Sequence, residues 1–135
     1  MIKLIIGNKG SGKTKKLVDM VNETAGTSLG NVVCIEKGDT LTYSVTHKVR
    51  LIDVDDYQIN GYNEYYGMLA GIKSGNHDVT HIFGDATLKI GGRNFDELIT
   101  FFERLASITD VDFIFTISAA KEELPKKIAD LAEEI

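Results

Sequence analysis

Residues Gly7 to Thr14 read Gly-Asn-Lys-Gly-Ser-Gly-Lys-Thr and complete the pattern G-x-x-x-x-G-K-[ST]. Residue types at this spacing hold phosphate. The glycines let successive backbone N–H groups point into one concavity, and a helix starting behind them adds the positive end of its dipole. Gly7, Asn8, Lys9, Gly10, Ser11, Gly12, Lys13, Thr14 and Lys15 are therefore the candidate nucleotide-binding residues. Lys13 would bridge the outer phosphates and the Thr14 hydroxyl would hold Mg²⁺. The context is right: Ile2, Leu4, Ile5 and Ile6 precede the loop as a strand, and Leu17, Val18, Val21 and Ala25 follow at helical spacing.

A site that hydrolyses such a nucleotide needs a second acid at a strand tip to hold the metal's water shell. Asp85 fits best, at the end of Val79-Thr80-His81-Ile82-Phe83-Gly84, and Asp55 after Leu51-Ile52-Asp53-Val54 is its competitor. The position after Asp85 is Ala86, so the acid that often follows the metal-binding aspartate is missing. Glu36, at the end of the next strand after the loop, is the replacement candidate for orienting the attacking water. Lys13, Glu36 and Asp85 form the candidate catalytic set, with Thr14 and Asp85 the candidate Mg²⁺ residues, the latter through water. Ser118 ends another strand and could sense the terminal phosphate. Arg93, one of three arginines, lies in a glycine-flanked stretch and could stabilise charge from its own subunit or from a neighbour's. His47, His77 and His81 lack ligand-like spacing, and Tyr62, Tyr65 and Tyr66 read as a helix packing face.

The elements that position these residues must fit into 135 residues, the length of one domain, so residues 1–135 are read as a single unit whose substrate-facing part can only be a loop. A formal charge of −5 argues against general polyanion or nucleic-acid binding, although Lys9, Lys13, Lys15 and Lys16 crowd the loop. The lone Cys34 sits in an apolar run and can build neither a disulfide framework nor a zinc cluster. The apolar start is shorter than a signal-peptide core or a membrane span, so a soluble cytoplasmic protein without membrane attachment is expected.

Along the chain, Val32 to Ile35 forms a short buried strand ending at Glu36, and Asp39 to His47 is a connection with room for a short helix. Val49 to Val54 reads as a third strand. Tyr62, Tyr65, Tyr66, Leu69 and Ile72 draw a helical stripe that Gly75 and Asn76 end. Val79 to Phe83 is the fourth strand, followed by a loop through Gly91, Gly92 and Arg93. Asn94 with Glu97 is a capping-box variant that opens a long helix along Phe95, Leu98, Ile99, Phe102, Leu105 and Ala106. Val111 to Ile117 is the fifth strand, and Pro125 opens a last helix with Ile128, Leu131, Ala132 and Ile135 on its buried face. Strands alternating with helices predict an α/β three-layer sandwich around a mainly parallel five-stranded sheet.

The loop Gly7 to Thr14, the strand-tip Glu36, the terminal Asp85 and the strand ending at Ser118 together resemble the RecA-like branch of P-loop NTPases. That resemblance implies strand order 3-2-4-5-1, with the Asp85 and Ser118 strands adjacent and the Ser118 strand beside the loop strand. The segments GNKGSGKTKKLVDM, GDATLKI and SAAKEELP are also similar to a family of short stand-alone P-loop proteins from anaerobic Gram-positive bacteria that carries a twitching-motility (pilus retraction) ATPase label. Pilus retraction ATPases have an additional N-terminal domain and acidic and histidine boxes. This chain begins at the loop strand, so motor activity is not expected. The resemblance implies ATP and Mg²⁺ as cofactors and a slow ATPase that acts as a nucleotide-state switch toward a protein partner, with an oligomer compatible. The alternatives are a small-molecule or nucleoside kinase with its acceptor site in Asp55 to Gly75, and a non-hydrolysing, nucleotide-dependent assembly or adaptor module.

Overall fold

A computed structural model describes the whole chain, residues 1–135. The apolar runs become strands β1 (Ile2–Gly7), β2 (Asn31–Glu36), β3 (Arg50–Asp53), β4 (Val79–Gly84) and β5 (Asp112–Ser118), with a two-residue β6 (Glu133–Glu134). All join one parallel sheet in the order β3-β2-β4-β5-β1-β6. Helices α1 (Lys13–Thr27), α2 (Tyr62–Gly75), α3 (Thr87–Gly91), α4 (Phe95–Leu105) and α5 (Lys127–Leu131) fill the crossovers. The first five strands take the order that the RecA-like resemblance implies.

Because side chains alternate across a strand, each strand feeds two cores. Leu4, Val33, Ile35, Ile82, Phe113 and Phe115 face α2, α4 and α5, whereas Ile5, Val32, Cys34, Phe83 and Ile114 face α1. On the first side Tyr65 is fully buried and stacks on Phe101 with ring centroids 5.2 Å apart, and Phe115 completes the cluster. The tyrosine stripe is thus a packing face, and each fully buried ring contributes roughly 2–3 kcal/mol of apolar transfer. Asn94 caps α4 through its side-chain oxygen, which accepts from the Asp96 and Glu97 N–H groups at 3.0 and 3.1 Å.

Four expectations change. The sheet has six strands rather than five, because the last helix stops at Leu131 instead of running to Ile135. Glu133 and Glu134 pair with Lys3 and Leu4, and the Ile135 N–H donates to the Leu4 carbonyl at 2.9 Å. The free edge of β1 offers backbone partners that a short, poorly nucleated helix cannot match. The stretch after Asp85 is not an open loop: Ala86, left-handed at φ 56°, turns the chain into α3, which buries Leu88 and Ile90. Residues 39–47 hold turns rather than a helix, tied to α1 by the Asn22 side chain, which donates to the Ser44 carbonyl and accepts from the Thr46 N–H, both at 2.9 Å. The third strand is shorter than expected, since Asp53 caps a 3-10 turn over Val54–Tyr57. No helix is long and apolar enough to cross a membrane.

Candidate functional site

In a parallel sheet all strands end on the same edge, so β1, β5 and β4 bring their carboxyl-end residues to one crevice, whereas Glu36 at the end of β2 is buried and does not line it. The β1 strand delivers the loop. Gly10 and Gly12 sit at φ 84° and 85°, where a Cβ is strained, and they turn the chain tightly into α1. A Cβ on Gly7 would meet the Ser11 side chain, which would have to shift to admit it. The loop's internal backbone bonds are Ser11 N–H to the Asn8 carbonyl and Lys16 N–H to the Gly12 carbonyl, both at 3.1 Å. The N–H groups of Lys9, Gly10, Gly12, Lys13, Thr14 and Lys15 are not engaged by other parts of the chain. No side chain caps α1 and its first turn holds no acid, so the negative charge nearest the dipole's positive end is the Asp85 carboxylate beside Thr14.

Lys13 lies over this nest, 9% exposed, with Nζ donating to the Asn8 carbonyl at 3.0 Å. Burial lowers its pKa below the ordinary lysine value, and the nearby Asp85 charge pulls it partly back. The Thr14 hydroxyl donates to both Asp85 oxygens, at 3.1 and 3.3 Å. Asp85 is itself placed by its N–H, which donates to the Ile35 carbonyl at 2.9 Å, and by the Thr116 hydroxyl, which donates to Oδ1 at 2.6 Å. A hydroxyl and a carboxylate in contact at a strand tip are the hard oxygen donors that suit Mg²⁺, which keeps several waters and draws further ligands from phosphate. The residues fit the ion.

The two sequence candidates for the metal-side acid end up far apart in role. Asp85 is in contact with the loop, whereas Asp55 sits in the 3-10 turn after the edge strand β3 and pairs with Lys37 Nζ at 2.6 Å. Glu36 ends β2, beside β4, and is 3% exposed. Its Oε1 accepts from the Thr40 N–H at 3.0 Å, the Thr40 hydroxyl at 3.3 Å and the Leu41 N–H at 3.1 Å. Burial raises its pKa, against the lowering effect of those three donors. The three bonds converge on Oε1, and Oε2 makes no hydrogen bond within the chain. Lys15 turns away from the loop and pairs with Asp19 at 2.8 Å, so only its backbone faces the nest.

A cavity of about 380 Å³ spans the crevice, lined by Lys9, Gly10, Lys13, Thr14, Asp85, Ala86, Leu88, Lys89, Arg93 and Ser118. Ser118 pairs with Gly7 in register, and its carbonyl accepts from Arg93 at 3.0 Å. Arg93 also pairs with Glu123 at 3.3 Å. Its guanidinium therefore belongs to the same subunit's pocket wall. Two residues of the site escape sequence reasoning. Lys89 enters because α3 replaces a loop. Thr116 has one signal, a lone hydroxyl inside the apolar run Phe113 to Ile117. Cys34 is buried with its thiol pushed up to about 12, chiefly by burial and then by the Asp85 and Glu36 charges, which makes it inert.

The fold and this crevice define a class: a three-layer α/β architecture with a parallel sheet and a glycine-rich loop at its carboxyl edge. Fifteen solved protein chains match it. Among them, the flagellar accessory protein FlaH from Methanocaldococcus jannaschii superposes with a TM-score of 0.60 at 15% sequence identity, over 96% of this chain and 65% of FlaH. The chain thus spans just under two thirds of that protein, and the likeness establishes the shared fold. No protein-family model and no curated protein matches the chain.

Proposed function

We propose that this protein binds Mg·ATP at the Gly7–Thr14 loop and hydrolyses it slowly, using the nucleotide state as a switch toward a protein partner. The observation that carries this reading is the contact between the Thr14 hydroxyl and both Asp85 oxygens beside the unengaged N–H groups of the loop. In this reading the loop N–H groups and the α1 dipole hold the inner phosphates, and Lys13 leaves the Asn8 carbonyl for the terminal phosphate. Its lowered pKa is no obstacle, because a phosphate dianion restores the preference for the charged ammonium. Thr14 and, through water, Asp85 would hold Mg²⁺, whose chemistry there would be to offset negative charge on the phosphoryl oxygens. Glu36 uses Oε2 to orient the water, while its Oε1 stays anchored to Thr40 and Leu41. Arg93 and Lys89 complete the positive wall.

Phosphate release from Mg·ATP measures this directly. Slow, Mg²⁺-dependent release that disappears in a folded Asp85→Asn variant is the expected result, and equal release by variant and wild type would overturn the assignment. A second reading, phosphate transfer to a small acceptor, draws on the cavity of about 470 Å³ between the starts of α2 and α4, lined by Asn60, Asn63, Glu64, Asp96 and Arg104 among others. It requires phosphate to appear on an added nucleoside or polyol rather than in solution.

A further inference from the structure

The β5 strand is apolar from Phe113 to Ile117 except at Thr116, which is 1% exposed between the fully buried Phe115 and Ile117. Valine would satisfy the same β-branched packing at this position, so the hydroxyl needs its own explanation: a buried hydroxyl is costly unless it is bonded. Two other buried hydroxyls, those of Tyr65 and Thr87, find no partner within the chain. Thr116, in contrast, is fully used. Its oxygen accepts from the Ala86 N–H at 3.0 Å, and its single proton goes to Asp85 Oδ1 at 2.6 Å.

The direction of this pair is fixed by chemistry. An amide N–H can only donate, so it occupies a lone pair of the Thr116 oxygen and leaves the hydroxyl proton to the carboxylate. The carboxylate is thus held from beneath at Oδ1, while Oδ2 faces the Thr14 hydroxyl at 3.1 Å. The same hydroxyl holds the N–H of Ala86, whose φ of 56° a residue with a Cβ adopts only when its surroundings impose it. One side chain therefore fixes both the turn that carries Asp85 and the rotation of its carboxylate.

We propose that Thr116 is a positioning residue for the metal, setting the Asp85 carboxylate from the strand beneath the pocket and thereby the site's affinity for Mg²⁺. The proposal rests on the Mg-nucleotide reading of the crevice. A partner that orients a metal-side group commonly changes metal affinity by about 10–100-fold when it is removed.

The test titrates Mg²⁺ into the full chain in the presence of a fluorescent ATP analogue, for wild type, Thr116→Val and Thr116→Ser, with the stability of each recorded by denaturation. Thr116→Val should raise the Mg²⁺ midpoint about tenfold or more, and Thr116→Ser, which keeps the hydroxyl, should recover most of that shift. In an Asp85→Asn background Thr116→Val should add no further shift, because its effect runs through Asp85. A Thr116→Val protein that loses stability but keeps the wild-type midpoint would overturn the proposal and leave Thr116 a structural residue. If Thr116→Val fails to fold, Thr116→Cys, a weak donor of similar size, reads the same midpoint, and an unshifted value overturns the proposal equally. A wild type without any Mg²⁺ response removes the nucleotide reading itself and this proposal with it. A responsive wild type with an unmoved variant removes only Thr116.

Discussion

Glu36→Ala separates the two jobs assigned to this carboxylate. Its Oε1 is the acceptor for the Thr40 and Leu41 N–H groups and the Thr40 hydroxyl. Leu41 is 5% exposed, so its N–H cannot turn to solvent, and losing its acceptor costs about 1–3 kcal/mol. Thr40 is exposed and recovers a water partner, for a net loss nearer 1 kcal/mol. Relief of the buried charge returns part of this, so the variant should be less stable by about 1–3 kcal/mol, a fall in Tm of roughly 4–11 °C for a chain of this size. Glu36→Gln keeps a carbonyl oxygen for both N–H groups and should stay within about 1 kcal/mol of wild type. Denaturant unfolding measures stability and phosphate release measures turnover, with ATP binding followed in parallel. Both variants should bind Mg·ATP, and both should lose turnover, since neither can accept a proton from water. An alanine variant as stable as wild type would refute the loop anchor. A glutamine variant with undiminished turnover would refute the water-orienting role.

The same residue gives a pH dependence. Burial holds the Glu36 pKa above its ordinary value of 4.5, so between that value and the raised one the folded chain binds more protons than the unfolded chain. Stability from this group therefore falls as pH rises through that window, and Glu36→Gln should remove that part of the slope in unfolding curves recorded from pH 4 upward. Gly84→Ala should destabilise by about 1–3 kcal/mol. The new Cβ would meet the buried Tyr65 hydroxyl and lie 2.7 and 2.9 Å from two Phe115 ring carbons, neither ring being free to move. A thermal melt matching wild type would contradict that packing.

The parts of this account that the sequence reveals are the locally encoded ones. The loop is legible because its glycines, Lys13 and Thr14 lie within eight successive residues, and Asp85 because it ends the strand run Val79 to Gly84, although Thr80, His81 and Gly84 interrupt that run's hydrophobicity. The strand order comes from a resemblance, since no periodicity says which strands are neighbours. What stays hidden depends on partners distant in the chain. Glu133 and Glu134 read as helix ends until the free edge of β1 is placed beside them. The α3 helix spans only five residues, too few for a periodic signal, and is set by the turn at Ala86. The Glu36 carboxylate shows its position at a strand tip, but its bonds to Thr40 and Leu41 depend on the path of the following turn. Thr116 is visible only as a hydroxyl out of place in an apolar strand, and its meaning appears once β4 lies alongside.

The central claim is that the Gly7–Thr14 crevice holds Mg·ATP, and isothermal titration calorimetry of the purified chain tests it most directly. The expected result is one saturable site per chain that weakens when Mg²⁺ is chelated and disappears in Lys13→Ala while that variant remains folded. Heat of binding that is absent from the folded wild type, or that survives unchanged in Lys13→Ala, would contradict it.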